Sequence, residues 1–252
     1  MPTKFLTALP VFNEVDSVHP VLDEVTRFSK HILVVDDGSN DGTSEQLETR
    51  DDIILLKHKQ NKGYGGALVT AFDYAIQNDY EVLVTIDCDG QHEPQRIQNF
   101  VNKCIESEAD IVSGSRYLKI FEADADAPED RRKINGQVTE MLNEKLKFEL
   151  TDAFCGFKAY RVEALAKITL TEMGYAMPLE LWVQAACKKL KIVEVAVPRI
   201  YLDESRSFGD KLDDPSTRLA YYRDVMQRAF QALPTECDKM RLENPRQGER
   251  VG

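Results

Sequence analysis

Short apolar runs alternate with helical patterns along the first half of the chain. The runs predict strands at about 5–9, 32–36, 53–57, 82–86 and 111–113. Apolar residues at helical spacing predict helices at about 16–29, 43–49, 66–77 and 94–106. Strands that alternate with helices in this way are typical of βαβ units. The pattern therefore predicts an α/β fold with helices on both faces of a mostly parallel sheet.

The second half of the chain has a less regular pattern. A helix is predicted at about 131–147, a further element around 154–160, a helix at 179–189, a strand at 192–197 and a last helix at about 217–233. The stretch 118–130 is acidic and rich in alanine without periodicity, which predicts a mobile surface loop. Because no linker separates two folding units, we expect one domain over 1–233 and a polar, disordered tail at 234–252.

Composition and charge narrow the classes of partner. The 252 residues carry a formal net charge of −11 without a Lys/Arg cluster, so we expect no nucleic-acid partner. The cysteines at 88, 104, 155, 187 and 237 lack zinc-ligand spacing and are predicted to be reduced thiols of a cytoplasmic protein. No apolar run approaches the roughly 18 to 20 residues of a membrane span, and no signal segment precedes the first strand. We therefore expect no transmembrane segment.

The run 84–92 is the most informative part of the sequence, because an apolar strand there ends in Asp87 and Asp89. These carboxylates and Gln91 alternate along an extended backbone, so their oxygens can converge on one hard divalent cation such as Mg2+ or Mn2+. The alternative is an acidic turn before a helix that begins near Pro94. Ligands of parallel sheets collect at the carboxyl ends of buried strands. The position therefore favours a metal site suited to a nucleotide diphosphate.

A second candidate motif, PVFNE at 10–14, follows the first strand. Pro10 is expected to stop the strand, and Phe12 can stack on a base. Asn13 or Glu14 can hydrogen-bond to a base or to a ribose. A proline turn before an acidic first helical turn is the alternative.

Two further turns carry acids or glycines. Asp36 and Asp37 end the second strand, where buried carboxylates need a partner such as a base imide or a ribose hydroxyl. Residues 39–43 are predicted to be turn and N-cap residues. The glycine-rich run 61–67, with Lys62 and Gly63, lets the backbone approach a ligand or a neighbouring strand, and a purely structural tight turn is an equal alternative.

Four motifs in a fixed order resemble a known family. PVFNE at 10–14, DDGS at 36–39, NKGYG at 61–65 and DCDGQH at 87–92 resemble the nucleotide-sugar half of family-two glycosyltransferases with the GT-A fold. The closest resemblance is to dolichyl- or polyprenyl-phosphate hexosyltransferases of the dolichyl-phosphate mannose synthase type, and it covers about 4–210. Later features agree: GSR at 114–116, Arg131, DAFCGFKAYR at 152–161, Glu180, Val197-Pro198 and RSFG at 206–209.

The resemblance implies a donor half over 1–115 and an acceptor half over 116–233. Asp87, Asp89 and Gln91 would hold Mg2+ or Mn2+ against the diphosphate, and Asp89 would also count among the catalytic residues. The nucleotide-binding residues implied are Pro10, Phe12, Asn13, Glu14, Asp36, Asp37, Lys62, Gly63, Asp87 and Cys88.

In the acceptor half the resemblance implies that Arg116, Arg131 and Arg206 are catalytic. A lipid phosphate is already an anion, so it needs cations to position it more than a base to deprotonate it. By motif position, Arg206 is the best placed to bind that phosphate. Glu180, at the start of a helix, is the remaining implied catalytic residue. If the acceptor is a hydroxyl, Glu180 or Asp152 becomes the candidate general base.

Three departures from the family pattern fall in the acceptor half. A Gly-Gly pair often follows the GSRY segment, whereas 118–121 reads LKIF here. Asn135 stands where serine is common, and Lys211-Leu212 replaces the usual Ser-Lys. The donor half matches the family pattern, and the acceptor half departs from it.

The expected function is an inverting, metal-dependent transfer of a hexose from a nucleotide sugar, of the GDP-mannose or UDP-glucose type, to a polyprenyl or dolichyl phosphate. The alternatives are transfer to a soluble hydroxyl acceptor and a non-catalytic nucleotide-sugar binding protein. A nucleotidyltransferase is disfavoured, because such enzymes usually have a Gly-rich, basic phosphate loop after the first strand.

The last predicted helix bears on membrane attachment. Its apolar stripe consists of Leu219, Tyr222, Met226, Phe230 and Leu233, and its polar side carries Arg218, Arg223 and Arg228. Such a helix can lie on a bilayer surface or pack on its own domain. We expect peripheral attachment at most.

Overall fold

One seven-stranded sheet organises the chain, of which the computed structural model describes residues 3–122, 124–125, 129–201 and 212–237. The strands are β1 (Phe5–Val11), β2 (Ile32–Asp36), β3 (Ile54–Lys57), β4 (Val82–Thr85), β5 (Ile111–Ser115), β6 (Lys158–Arg161) and β7 (Ile192–Ala196). Their order is β3-β2-β1-β4-β6-β5-β7. The strand β6 pairs antiparallel with β4 and β5, and the other pairs are parallel. The predicted mostly parallel sheet is confirmed.

Helices cover both faces of the sheet, as the sequence predicted. The α-helices are α1 (Val18–Val25), α2 (Thr43–Glu48), α3 (Tyr64–Gln77), α4 (Ile97–Glu106), α5 (Glu129–Leu146), α6 (Val162–Leu165), α7 (Met177–Cys187) and α8 (Pro215–Gln231). Short 3-10 turns lie at Pro94–Arg96 and Thr235–Cys237. One apolar core lies under α1 and α4, and a larger core lies under α3, α5, α7 and α8.

The strands β1, β2 and β4 end at the same edge of the sheet. In the parallel register Ala8 lies opposite both Leu33 and Thr85. The residues of β2 and β4 are all buried, which is why these strands read as continuous apolar runs in the sequence. The turns that follow the three strands therefore meet at one place.

Pro10 does not stop the first strand, contrary to the prediction. It lies inside β1, opposite Val35 of β2. Pairing between β1 and β4 ends at Ala8 and Thr85, so the position of Pro10 needs no N–H donor toward β4. The strand therefore continues through the proline to Val11.

The last helix packs on its own domain. Tyr222, Met226 and Phe230 of its apolar stripe are at most 4% exposed and belong to the larger core. Arg218, predicted on the polar side, is only 3% exposed. The apolar stripe of α8 is therefore not available to a bilayer. None of the helices in the described ranges combines the length and the apolar character needed to cross a membrane.

The prediction that all five cysteines are reduced is wrong for two of them. Cys187, at the end of α7, forms a disulfide with Cys237, and their Cα atoms are 5.6 Å apart. This bond and the 3-10 turn at Thr235–Cys237 give structure to residues that the sequence assigned to a disordered tail. Cys88, Cys104 and Cys155 are buried free thiols.

Candidate active site

A cavity of about 790 Å³ opens where β1, β2 and β4 end. Its lining includes the PVFNE residues 10–14, Asp37, and Asp87 to Asp89 from the donor half. Arg116, Arg131 and several aromatic side chains of the acceptor half line the remainder. The fold thus brings together, in one cavity, most of the residues selected from the two halves of the sequence.

Side-chain and backbone contacts hold the carboxylate of Asp87 in this cavity. Its Oδ1 accepts a 2.9 Å hydrogen bond from the Tyr64 hydroxyl, and its Oδ2 lies 3.2 Å from Nε2 of His92. The backbone of Gly156 packs against the carboxylate so closely that a Cβ there would overlap Oδ2. Burial acts to raise the pKa of Asp87, but the hydrogen bond with His92 and its charge outweigh burial and lower this pKa. Asp87 is therefore held in one position and favours its ionised form.

Asp89 completes the acidic pair beside Asp87. Its Oδ1 accepts a 2.9 Å hydrogen bond from the backbone N–H of Gln91, which also lines the cavity. Burial and then the charge of Asp87 raise the pKa of Asp89. Cys88, between the two acids, is almost fully buried although it contributes to the cavity wall. The pair therefore concentrates negative charge that a cation would relieve.

The two acids at the end of β2 have different surroundings. Asp36 is fully buried, lies outside the cavity lining, and accepts hydrogen bonds from Ser39 N at 2.9 Å and Ser44 Oγ at 2.5 Å. The structure thus gives Asp36 partners within the turn and does not bring it to the cavity with the other predicted nucleotide-binding residues. Asp37 does line the cavity, at 3% exposure. It lies 2.5 Å from Nδ1 of His58, a partner that the sequence analysis did not foresee.

Asp37 also holds the glycine-rich turn. It accepts hydrogen bonds from the backbone N–H groups of Lys62 and Gly63 at 2.9 and 2.8 Å. Gly63 has φ +93°, and a Cβ there would overlap the carbonyl oxygen of Met173. Gly63 lines the cavity and Lys62 does not. The structural alternative is therefore correct for Lys62, and the close approach at Gly63 is to the segment containing Met173, not to a neighbouring strand.

The PVFNE turn is fixed by neighbouring hydroxyl and amide groups. Asn13, at φ 56°, accepts from Asn40 N at 2.9 Å, and its own N–H donates to Ser39 Oγ. The side chain of Glu14 accepts a 2.6 Å hydrogen bond from the hydroxyl of Ser17. Phe12 has 40% of its surface exposed. Phe12 therefore presents an open aromatic face on a fixed turn, which suits stacking on a base.

An ion pair between Arg116 and Asp152 lies on the acceptor side of the cavity. Arg116 donates from Nε to Asp152 Oδ2 at 2.6 Å and from Nη2 to Oδ1 at 3.0 Å. Asn135 adds a 3.0 Å hydrogen bond to the same carboxylate. Burial acts to raise the pKa of Asp152, but Arg116 outweighs it and lowers the pKa to about 2. Asp152 is therefore an ionised partner of Arg116 with no tendency to take up a proton.

Glu180 is also committed to internal hydrogen bonds. It is 3% exposed and accepts from the backbone N–H groups of Thr171 and Glu172 at 2.8 and 2.7 Å. Neither Glu180 nor Asp152 lines the cavity, and a general base must reach the proton that it removes. The structure therefore gives no support to Glu180 as a catalytic residue or to either acid as a base. Arg206 lies outside the described residues.

Several cavity residues were not selected from the sequence. Tyr64 and His92 were present in the quoted motifs, but only the fold brings them onto Asp87. Tyr175 stacks on Tyr64 with ring centroids 5.9 Å apart. Arg218 of α8 lines the cavity and donates to Asp130 at 2.7 Å. Helical periodicity could only place Arg218 on the polar side of its helix.

The fold and the acidic cavity define a class, the GT-A glycosyltransferases. The crystal structure of glucosyl-3-phosphoglycerate synthase from Mycobacterium tuberculosis, in complex with Mn2+, UDP and phosphoglyceric acid, superposes with a TM-score of 0.69. The match covers 92% of this chain and 80% of that chain at 16% sequence identity. At this identity the similarity establishes the fold.

The family follows from the sequence itself. The model of glycosyl transferase family 2 matches residues 7–169. The undecaprenyl-phosphate mannosyltransferase of Micrococcus luteus is 30% identical over 217 residues, which cover 82% of this chain and 88% of that protein. The polyprenol monophosphomannose synthase of Mycolicibacterium smegmatis is 31% identical over 202 residues, 76% of each chain. The chain belongs to glycosyltransferase family 2, and it is an enzyme, as its sequence motifs predicted.

Replacing Gly156 by alanine should damage the acidic pair selectively. The added Cβ would displace the Asp87 carboxylate from its hydrogen bonds with Tyr64 and His92. We expect metal-dependent binding of GDP or UDP to weaken by roughly tenfold or more in Gly156→Ala. Isothermal titration calorimetry in the presence of Mn2+ measures this.

The matched control is Gly136→Ala on α5, where an added Cβ meets no atom within 4 Å. It should leave nucleotide binding unchanged and increase helix stability by up to about 1 kcal/mol. Equal effects of the two substitutions on binding would contradict the role given to Gly156.

Asp152 should make folding stability sensitive to acid. Its pKa is about 2 in the folded protein against an ordinary 3.8, so its contribution of about 2 kcal/mol is complete above about pH 4. The contribution is lost as the pH falls through about 2. At neutral pH, Asp152→Asn also leaves Arg116 without its anion, and we expect a loss of about 3–5 kcal/mol. Urea unfolding of both proteins from pH 7 to pH 2.5 should show this difference shrinking.

The control for this experiment is Asp23→Asn, which removes an exposed carboxylate paired with Arg50. It should cost at most about 1 kcal/mol at pH 7. A difference between Asp152→Asn and the wild type that stays constant with pH would refute the assignment.

Proposed function

We propose that this glycosyltransferase transfers a hexose from a nucleoside diphosphate sugar to a polyprenyl-type lipid phosphate, with inversion and with a divalent cation. The proposal of a nucleoside diphosphate sugar as donor rests on the carboxylate pair Asp87 and Asp89 in the cavity. The proteins with similar sequences named above act, by their names, on undecaprenyl phosphate or make polyprenol monophosphomannose.

The side-chain oxygens available as cation ligands suit Mg2+ or Mn2+. No group of three or more His, Cys, Asp and Glu side chains placed to hold a metal occurs in the described ranges. Asp87, Asp89 and the amide oxygen of Gln91 would therefore hold the cation together with phosphate oxygens and water, as hard cations accept. When bound, such a cation neutralises the departing nucleoside diphosphate. Tyr64 and Gly156 keep Asp87 in place for this role.

The nucleoside would occupy the side of the cavity formed by the PVFNE turn and β2. Phe12 offers its exposed ring to the base, and Asn13 and Asp37 offer oxygen acceptors beside it. Asp37 already accepts three hydrogen bonds and keeps one further lone-pair site for a base or ribose donor. Both guanine and uracil carry such a donor, so GDP-mannose and UDP-glucose remain the two donor types.

The distribution of charge in the cavity favours an anionic acceptor. Among the described lining residues, every carboxylate belongs to the donor half, namely Glu14, Asp37, Asp87 and Asp89. The acceptor half contributes Arg116, Arg131 and Arg218 instead. An acceptor phosphate needs such cations and no general base, whereas a hydroxyl acceptor needs a base that this half does not provide. A lipid phosphate acceptor also implies peripheral contact with a membrane.

The donor site is tested by Asp89→Ala. Removing one of the two carboxylate ligands should weaken Mn2+-dependent binding of GDP and UDP at least tenfold while the melting temperature stays within a few degrees. Calorimetry with and without Mn2+ measures the binding, and the exposed Asp51→Ala provides the control. Full turnover in Asp89→Ala would remove the metal assignment.

The acceptor site is tested by Arg131→Ala. Loss of a charge-assisted contact should reduce kcat/KM for undecaprenyl phosphate roughly 10- to 100-fold and leave donor binding unchanged. The adjacent, exposed Arg132→Ala should behave like the wild type. Transfer from GDP-mannose or UDP-glucose to a soluble hydroxyl acceptor, with none to the lipid phosphate, would overturn the acceptor assignment.

A further inference from the structure

Two large apolar side chains project from the turn that follows β5. We define Leu118, Lys119 and Ile120 as the apolar tip. Leu118 is 47% exposed, and Ile120, at 83%, is the most exposed large apolar side chain among the described residues. A single exposed apolar residue needs no explanation, but two that flank a lysine beside a cavity indicate a contact surface.

Hydrogen bonds on both sides of the apolar tip fix the turn that carries it. On the β5 side, the buried hydroxyl of Ser115 accepts the backbone N–H groups of Tyr117 and Leu118 at 3.2 and 3.1 Å. On the other side, Asp124 Oδ2 accepts from Phe121 N at 3.0 Å, and Asp124 Oδ1 accepts from Arg199 N at 2.8 Å. The exposure of Ile120 is therefore built into an anchored turn.

The apolar tip adjoins the acceptor side of the cavity. Tyr117, the residue before it, lines the cavity and has its ring within 5.9 Å of the Arg116 guanidinium and 5.8 Å of the Arg199 guanidinium. Through Tyr117 the apolar tip is therefore contiguous with the part of the cavity wall that contains Arg116.

Charge limits how the protein can reach a bilayer. With a net charge of −11, the protein as a whole is repelled by anionic lipids, so attachment has to be local. The apolar stripe of α8 is buried in the core and therefore cannot contact the bilayer. Lys119, which stands between the two apolar residues in the sequence, has its Nζ 5.2 Å from the Phe121 ring and so provides a cation beside the tip. Aliphatic side chains with an adjacent lysine suit the boundary between headgroups and acyl chains.

We propose that the apolar tip inserts into the surface of a lipid bilayer and presents the acceptor side of the cavity to lipid headgroups. The proposal rests on the proposed function in that the acceptor is a lipid phosphate. Leu118 and Ile120 contact acyl chains, Lys119 contacts anionic headgroups, and Arg116 faces the acceptor phosphate. The short reach of the tip predicts reversible attachment without a membrane-spanning segment.

The first test measures binding to vesicles of phosphatidylethanolamine and phosphatidylglycerol by flotation. The double variant Leu118→Ser/Ile120→Ser should partition roughly tenfold less than the wild type. Ile105→Ser removes a comparably exposed apolar side chain from α4, at 41% exposure, and should bind like the wild type. Absence of binding by the wild type, or equal binding by the double variant, overturns the proposal.

A second test reports on the tip directly. Trp182 is the only tryptophan and is fully buried, so an indole introduced by Ile120→Trp supplies the exposed signal. Its emission should shift to shorter wavelength with vesicles and be quenched by brominated acyl chains, and that of Ile105→Trp should not. An unchanged emission refutes insertion. Wild-type dimers that the double variant loses, without vesicle binding, would assign the tip to contact between two copies and also refute it.

Kinetics separate this inference from the proposed function. With a short, water-soluble polyprenyl phosphate and no vesicles, the double variant should keep wild-type transfer, and with undecaprenyl phosphate in vesicles it should lose roughly tenfold. Equal loss with both acceptors would overturn the inference. Vesicle binding through the tip without transfer to any lipid phosphate would leave the inference intact and reject the proposed function.

Discussion

The ion pair between Arg116 and the buried Asp152 supports both sides of the active site. It joins the end of β5 to the segment that leads into β6, and that segment carries Gly156 onto the Asp87 carboxylate. The same pair fixes Arg116 in the cavity wall. Removing Arg116 would leave the fully buried Asp152 carboxylate without its cation, so the two groups are constrained to remain together. The acidic and the basic parts of the cavity are therefore held by one interaction.

Much of the fold and of the donor site follows from local pattern. Buried parallel strands read as apolar runs, and the turns after such strands meet at one edge, which is why Asp87, Asp89 and Phe12 line one cavity. Acids whose partners are internal look the same in sequence, and so the sequence alone could not separate Asp36 and Glu180 from the acids that line the cavity. Their hydrogen bonds to backbone N–H groups depend on how turns fold back.

Other features depend on contacts between distant segments. Tyr64 reaches Asp87 across 23 positions of sequence, and Cys187 reaches Cys237 across 50. The periodicity of apolar residues carries no information about contacts between segments so far apart in the sequence. The departures from the family pattern at 118–121 and at Asn135 have structural counterparts, because one forms the anchored apolar tip and the other donates to Asp152. A departure from the family pattern can thus reflect a different local structure and does not by itself indicate a lost function.

The position of β6 has a consequence for how the chain can fold. β5 pairs only with β6 and β7 among the described strands, and β6 also closes the edge of β4. A fragment that ends near 115 would leave β5 without any partner and would expose the edge of β4 to aggregation. The donor half is therefore a functional region and not a folding unit. The sheet can be completed only after the chain has returned from α5, which makes its closure a late, non-local step.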